Sequence, residues 1–369
     1  MAFGLMGNFV IVPVIAGREI KEVSRDNLFR AWFVSIFAVI FVINAFLAYL
    51  NQHGMFRAAF KYLKYFRYVS YSPTEPSSIP ATVTVFSTVA FSLAAFFISF
   101  QSMRRDYVLD SSVVFEAKKY PNLVWLAGKA IGILAAFMLI TYASLIPALL
   151  YNIFDPDYSV GMIDYLAYPL LVSLPAYCFV IGASFLLGSL VGNQILAAAL
   201  LIIFVAPGVF FAAKPHCWIF DPFAIRLPIL KSEFAGFPDA GRILYSRSIP
   251  LFAGVSALAA AVLCYKRLIQ SGAWKYLSFG IAVSGALAAG GMIISESSDI
   301  SNARETRSIL LAMDERGVKL PSPAIKVCDI RLVHSGHRIR CEAGIVLANE
   351  NDVPLASYLF TLTPAAAAM

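Results

Sequence analysis

Metal or nucleophile chemistry in this chain would have to come from four histidines, His53, His216, His334 and His337, and from its five cysteines. Zinc sites need ligands in turn-paired or helix-paired spacing, and no HExxH or paired-Cys motif occurs. His334 and His337 form a compact "HSGH", but no third ligand accompanies them, and a polar turn carrying two imidazoles accounts for the pair. The stretch "LAGKAI" ends in the Gly-Lys of a phosphate-binding loop. That loop needs glycine where Leu123 stands and a magnesium-holding hydroxyl where Ala130 stands, so no nucleotide site of this type is expected. Ser173 and Ser184 lie in apolar segments with no His or Asp to activate them, which ranks an intramembrane lipid enzyme last. The expectation is a chain with no catalytic residue, no cofactor and no metal of its own.

The elements that carry these residues are read from composition. Hydrophobic residues make up 59% and charged residues 14%, with a mean hydropathy of +0.74. A soluble domain is about 45–50% apolar and about 25% charged, so an integral membrane protein is expected. A bilayer core needs roughly 20 apolar residues per helix. Seven such windows run from Ala31 to Leu50, Ala81 to Phe100, Leu123 to Tyr151, Leu166 to Leu190, Gln194 to Ala213, Ile249 to Cys264 and Tyr276 to Ile294. The fourth and fifth are separated only by "VGN", which makes a tight helical hairpin. The N-terminal segment lacks the basic start of a signal peptide and reads as mature sequence. In the "REIKEVSRDNLFR" that follows, Ile20, Val23 and Leu28 fall near one helical face. Arg18, Glu19, Glu22, Arg25 and Asp26 surround the rest, as in a helix lying in the membrane surface. The fold class is therefore mainly α: a polytopic helical membrane protein with a small C-terminal β-rich domain. Its parts are an entry helix at 1–30, a transmembrane region at 31–294 and an extramembrane domain at 295–369.

Lys and Arg are only slightly more frequent in the segments that an inside N-terminus would place in the cytoplasm. The first outer loop, "MFRAAFKYLKYFRYV", reads either as an interfacial helix anchored by Tyr and Phe or as a gate or headgroup contact. In the tail, "AIKVCDIRLV" and "HRIRCEAGIVLAN" alternate with period two, and "ASYLFTLTP" is a third candidate strand. Cys328 and Cys341 share a face with Ile330, Ile339 and Ile345. A four-residue turn would set them opposite each other as a candidate disulfide, and two small core residues is the other reading.

Ion-driven transporters bury ionisable residues at mid-membrane. The span interiors here hold essentially none, with Lys129 and Asp164 close to span ends, so energy for transport would enter from outside the membrane. The place for it is the charged island "SMRRDYVLDSSVVFEAKKYP" between the second and third spans. It carries Arg104, Arg105, Asp106, Asp110, Glu116, Lys118 and Lys119, a density suited either to docking a soluble partner or to a solvated connector.

The order of amphipathic entry helix, outer loop, second span ending in "QSMRRDYVLDSSVVFEAKKYPNLVWLAGKAIG", and tight hairpin resembles the permease of the type-2 ABC exporters. Arg105 with Asp106, Pro121, and Gly128 with Lys129 stand at that family's basic-acidic pair, turn proline and Gly-Lys. "WIFDPFAIRLP" followed by "GRILYSRSIPLF" is similar to the Asp-Pro-Phe and Asn-Arg elements of a subgroup with an added outer β-domain, related to permease–aminopeptidase fusions. Ser246 stands here where the asparagine is expected. The resemblance implies a six-span permease core plus a seventh span in a bacterial inner membrane, with the N-terminus cytoplasmic and the tail outside. It implies a partner ATPase dimer supplying ATP and magnesium, and a second permease, identical or related. The substrate would be a lipid, a peptide or a lipoprotein. Residues 101–122 would then be the coupling loop, with Arg104, Arg105, Asp106, Asp110, Glu116, Lys118 and Lys119 against the ATPase. Arg18, Glu19, Lys21, Glu22 and Arg25 would form a second contact, and residues 207–248 an outer re-entrant loop. The alternative from another class is a membrane-anchored scaffold or assembly factor whose β-domain binds a partner protein.

Overall fold

The computed structural model describes residues 11–52, 79–108, 121–154, 161–210, 221–225, 227, 229, 237, 240–265, 272–317, 323–335, 338–350 and 354. They are mostly helical. The chain divides into two compact units, one formed by residues 1–232 with 236–294 and the other by 295–369 with 233–235.

The first unit begins with α1 (Val12–Arg25) and α2 (Asn27–Gln52), separated only by Asp26, whose extended backbone breaks the helix. Its carboxylate accepts a bond from the Phe29 amide at 3.3 Å, which caps the new helix. The long helix α3 (Ile79–Val108) is followed by α4 (Asn122–Ser144) and α5 (Ile146–Phe154). A continuous stretch contains α6 (Met162–Tyr168), a π-helical turn at Pro169–Ser173 and α7 (Leu174–Leu190). Helix α8 (Gln194–Phe210) completes the hairpin, and α9 (Ala240–Cys264) and α10 (Gly272–Gly317) follow.

Five stretches are long and apolar enough to cross a membrane: Ile79–Arg105, Asn122–Leu150, Met162–Leu190, Ala240–Cys264 and Ala273–Ala312. Shorter apolar helices occur at Phe29–Val39 and Gln194–Ile203. Over its described residues each expected window thus coincides with helix, while five of the seven meet the length and composition for a span.

Helices α3, α4 and α7 form the centre, packing Phe91, Met103, Leu126, Ile133, Phe137, Tyr177 and Phe185, all fully buried, into one core. Hydroxyl groups tie this core together. Thr88 and Ser173 share a hydrogen bond of 2.6 Å between α3 and the π turn, and Tyr177 and Thr141 share one of 2.7 Å between α7 and α4. The π turn begins at Pro169, which has no N–H to give the preceding turn and so loosens the helical ladder there.

The most extensive helix contact is between α7 and α9. It is made at glycine: a Cβ on Gly254 would lie 2.6 Å from the Phe179 backbone nitrogen, and one on Gly182 would collide with the Gly254 carbonyl. Bare backbone at both positions is what lets these helices touch.

In the second unit, β1 (Ala324–Ser335) and β2 (Arg338–Ala348) form an antiparallel hairpin with an irregularity between Ile325 and Val327. Two expectations for the tail change. Residues 295–317 continue α10 as helix, because no glycine or proline interrupts the chain between Gly291 and Gly317. The strand register pairs Cys328 with Ile345 and Cys341 with Leu332, so the cysteines share a face but are not opposite. Four residues of strand separate their levels, about 13 Å, which is too far for a disulfide. Both thiols are free. Pairing extends to Ser335 and Arg338, so the turn falls two residues further along the chain than the one that would set the cysteines opposite, and this moves the register. The third candidate strand lies outside the described residues.

Candidate functional site

The charged island starts inside a helix. Helix α3 continues to Val108, so Arg104 and Arg105 project from its last turns, where helical spacing rather than loop geometry decides what they meet. Asp106 belongs to the same turn. Asp110, Glu116, Lys118 and Lys119 lie outside the described residues.

The elements brought to this end of the first unit are α1, the end of α3, the start of α4, the turn between α7 and α8, and the end of α9. Helix α1 lies against α4 through Ile15, Ala16 and Glu19. A Cβ on Gly128 would meet Ile15 side-chain carbons at 2.8 Å, and one on Gly132 would meet the Ala16 carbonyl oxygen at 2.7 Å. The Gly-x-x-x-Gly spacing of 128 and 132 therefore makes the seat for α1.

That seat carries a carboxylate inward. Glu19 is 3% exposed, in the same buried stripe as Ile15, Ala16 and Val23. Ser102 Oγ donates to Glu19 Oε1 at 2.5 Å, and Arg105 Nη2 lies 3.5 Å from Glu19 Oε2 and also pairs with Glu22. Lys129, 2% exposed, donates from Nζ to the Ser102 carbonyl at 3.0 Å, with its ammonium 5.4 Å from the centre of the Trp125 ring. Ser102 thus joins three helices: its hydroxyl holds α1 and its carbonyl holds α4.

Arg104 extends the tie by donating from Nη1 to the Gly192 carbonyl in the turn between α7 and α8. Asn122 Nδ2 donates to the Tyr265 carbonyl at 3.4 Å, reaching the end of α9. Between α1 and α3 a cleft of about 380 Å³ remains, with Glu22, Asp26, Arg104 and Arg105 on its walls.

No protein-family model and no curated protein matches the chain.

The residues singled out in the sequence divide by position. Arg18, Lys21 and Arg25 of α1 are exposed, with Arg18 held to Glu22 one turn on at 2.8 Å. Glu19 is buried and Glu22 is partly covered by Arg105, so Arg18, Glu19 and Glu22 of the expected ATPase-contact set are engaged within the chain. Arg104 and Arg105 are likewise engaged within the chain. The node at Ser102 and the role of Gly132 were not singled out in the sequence. The four-residue glycine spacing of 128 and 132 is the signal for it, inside the same stretch as the Gly-Lys of the phosphate-loop comparison.

The two short elements noted before the sixth span also meet. Arg247, 3% exposed, donates from Nη1 to the Pro222 carbonyl at 3.1 Å and from Nη2 to the Asp221 carbonyl. Asp221 Oδ1 accepts from the Phe223 amide at 3.2 Å and forms a turn that ends in Ala224 at a positive φ of 55°. Ala224, Leu227 and Ile229 then pack with Ala81, Val85, Tyr168, Val172 and Ile243. Arg247 is on the second turn of α9, at the end away from Cys264 and the Ser102 node. Charge-assisted bonds are worth about 1.5–3 kcal/mol each, so Arg247→Ala is expected to destabilise the protein by about 2–4 kcal/mol. The measurement is the thermal unfolding midpoint in detergent together with new proteolysis within residues 221–237. Arg247→Lys, with no planar fork to span two carbonyls, should recover only part of the loss.

The serines of the enzyme reading are engaged structurally. Ser173 is paired with Thr88, and Ser184 donates to the Val180 carbonyl of its own helix at 2.5 Å. Among the described residues no group of three His, Cys, Asp or Glu side chains converges as a metal site.

Proposed function

We propose that this chain is the membrane-embedded subunit of an ATP-driven exporter, moving a lipid, peptide or lipoprotein-type substrate with energy from a separate ATPase. The observation that carries the reading is the Ser102 node. The start of the charged island is bonded to α1 through Glu19 and Arg105, to α4 through Lys129, and to the α7–α8 turn through Arg104. A displacement applied to the island would reach several apolar helices through short polar links, as a two-state gating element requires. The meeting of Arg247 with the Asp221-Pro222-Phe223 turn adds support, since both elements carry the resemblance to type-2 ABC permeases. In this reading the island and the exposed cations of α1 face a cytoplasmic ATPase that binds ATP and magnesium. A second permease completes the path, and no residue of this chain is catalytic.

The test is a mild-detergent pull-down of the tagged chain with ATP hydrolysis assayed on the eluate. A stoichiometric ATPase is expected, and it should be lost when Arg104, Arg105 and Glu116 are charge-reversed. A chain that elutes alone and inactive would remove the exporter reading. The scaffold alternative draws on one feature of its own. Cys328, Ile330, Leu332, Cys341 and Ile345 form an uncharged, exposed face on the hairpin, and recovery of a partner through residues 324–348 would favour it.

A further inference from the structure

The cleft between α1 and the end of α3 also brings in Asp26, Val23 and Ile98, which the transmission of a push does not use. Its lining combines the apolar Val23 and Ile98 with both signs of charge: Glu19, Glu22 and Asp26 on one side, and Arg104 and Arg105 of α3 on the other, Arg105 already paired with Glu19 and Glu22. At about 380 Å³ it is in the size range of small-molecule sites. Its depth is set by α3. The apolar run of that helix ends at Phe100, and Gln101, Arg104 and Arg105 follow, the change in polarity that marks the headgroup level of a spanning helix.

A ligand matched to these walls carries an anion and a cation a few bonds apart, joined to hydrocarbon. We propose that the cleft holds a zwitterionic phospholipid with a primary-amine headgroup, of the phosphatidylethanolamine type. A guanidinium has five N–H donors. Arg104 directs Nη1 to Gly192, and the rest of its fork is chemically suited to a phosphate oxygen. A primary ammonium offers three donors to the Asp26 carboxylate, with Glu22, already paired with Arg18 and Arg105, on the same side of the cleft, where a trimethylammonium offers none. The hydrocarbon next to the headgroup would meet Val23 and Ile98. The site depends on α3 crossing a membrane and not on the exporter reading, so each can fail alone.

The experiment is native mass spectrometry of the full chain, purified in mild detergent and titrated with dioleoyl phosphatidylethanolamine, phosphatidylcholine or phosphatidylglycerol. Loss of charge-assisted bonds corresponds to about tenfold in affinity or more. Phosphatidylethanolamine should therefore be retained about tenfold better than phosphatidylcholine. Asp26→Asn, which keeps an oxygen to cap Phe29, should bring that ratio below about threefold. Arg104→Gln should weaken both phospholipids, while Arg242→Gln on α9 should change nothing. Equal retention of all three lipids by folded protein would overturn the proposal, as would a preference that survives Asp26→Asn and Arg104→Gln. Displacement by soluble glycerophosphoethanolamine at equal concentration would overturn the lipid assignment in favour of a free headgroup.

Discussion

Gly254→Leu should leave almost no monodisperse protein after detergent extraction, whereas Gly290→Ala should extract as well as the parent and unfold at the same temperature or slightly higher. Both glycines sit in apolar helices, and composition does not distinguish them. At Gly254 the space for a side chain is taken by backbone of α7, with the Phe179 nitrogen at 2.6 Å from the Cβ position and the Cys178 carbonyl closer still. Backbone cannot swing aside as a side chain does, so leucine must separate α7 from α9 along their most extensive contact. Overpacking of cores costs about 1–3 kcal/mol when side chains can adjust, and the loss here should exceed about 3 kcal/mol. At Gly290 nothing lies within 4 Å of the Cβ position. Alanine there gains helix propensity of up to about 1 kcal/mol. Stable, monodisperse Gly254→Leu protein would mean that α7 and α9 do not meet backbone to backbone at this position.

The contrast shows what the sequence could reveal. Hydropathy located the apolar helices well, because a spanning helix must satisfy its backbone internally over a fixed length and so leaves a long apolar signature. It could not reveal which side of a helix meets which neighbour. Helix α3 illustrates this: Thr88 and Ser102 are buried hydroxyls bonded to other elements, while Phe86 and Leu93 are exposed. In lipid, polar atoms are sheltered inside and apolar ones face out, so the soluble rule for reading faces inverts. The same inversion explains Glu19. Amphipathic logic assigned it to the polar face of α1, yet it is buried because Ser102 and Arg105 satisfy it. The hairpin register was missed for another reason. Period-two alternation specifies which residues share a face but leaves the pairing free to slide in steps of two, and only the turn settles it.

Arg105→Glu should loosen α1 from the rest of its unit without preventing membrane insertion. In the parent, Arg105 pairs with Glu22 and approaches Glu19 Oε2 at 3.5 Å. Reversal places a third carboxylate beside these two, one of which has a side chain only 4% exposed. Breaking a buried ion pair costs about 3–5 kcal/mol. Arg105 itself is 37% exposed, so solvent screening lowers the expected penalty to about 1–3 kcal/mol. Arg18→Glu is the internal control: it disturbs an exposed pair one turn apart, worth about 0.3–0.5 kcal/mol. The readouts are the unfolding midpoint and the rate of tryptic cleavage at Lys21 and Arg25, which should rise for Arg105→Glu and hardly change for Arg18→Glu. Adding Glu22→Arg to Arg105→Glu restores an opposite pair across the same gap and should recover about half of the lost stability, because Glu22 also gives up Arg18. Equal effects of the two single reversals would mean that the node is an ordinary surface contact, and it would then have no rigid link through which a partner's motion could reach α1 and α4.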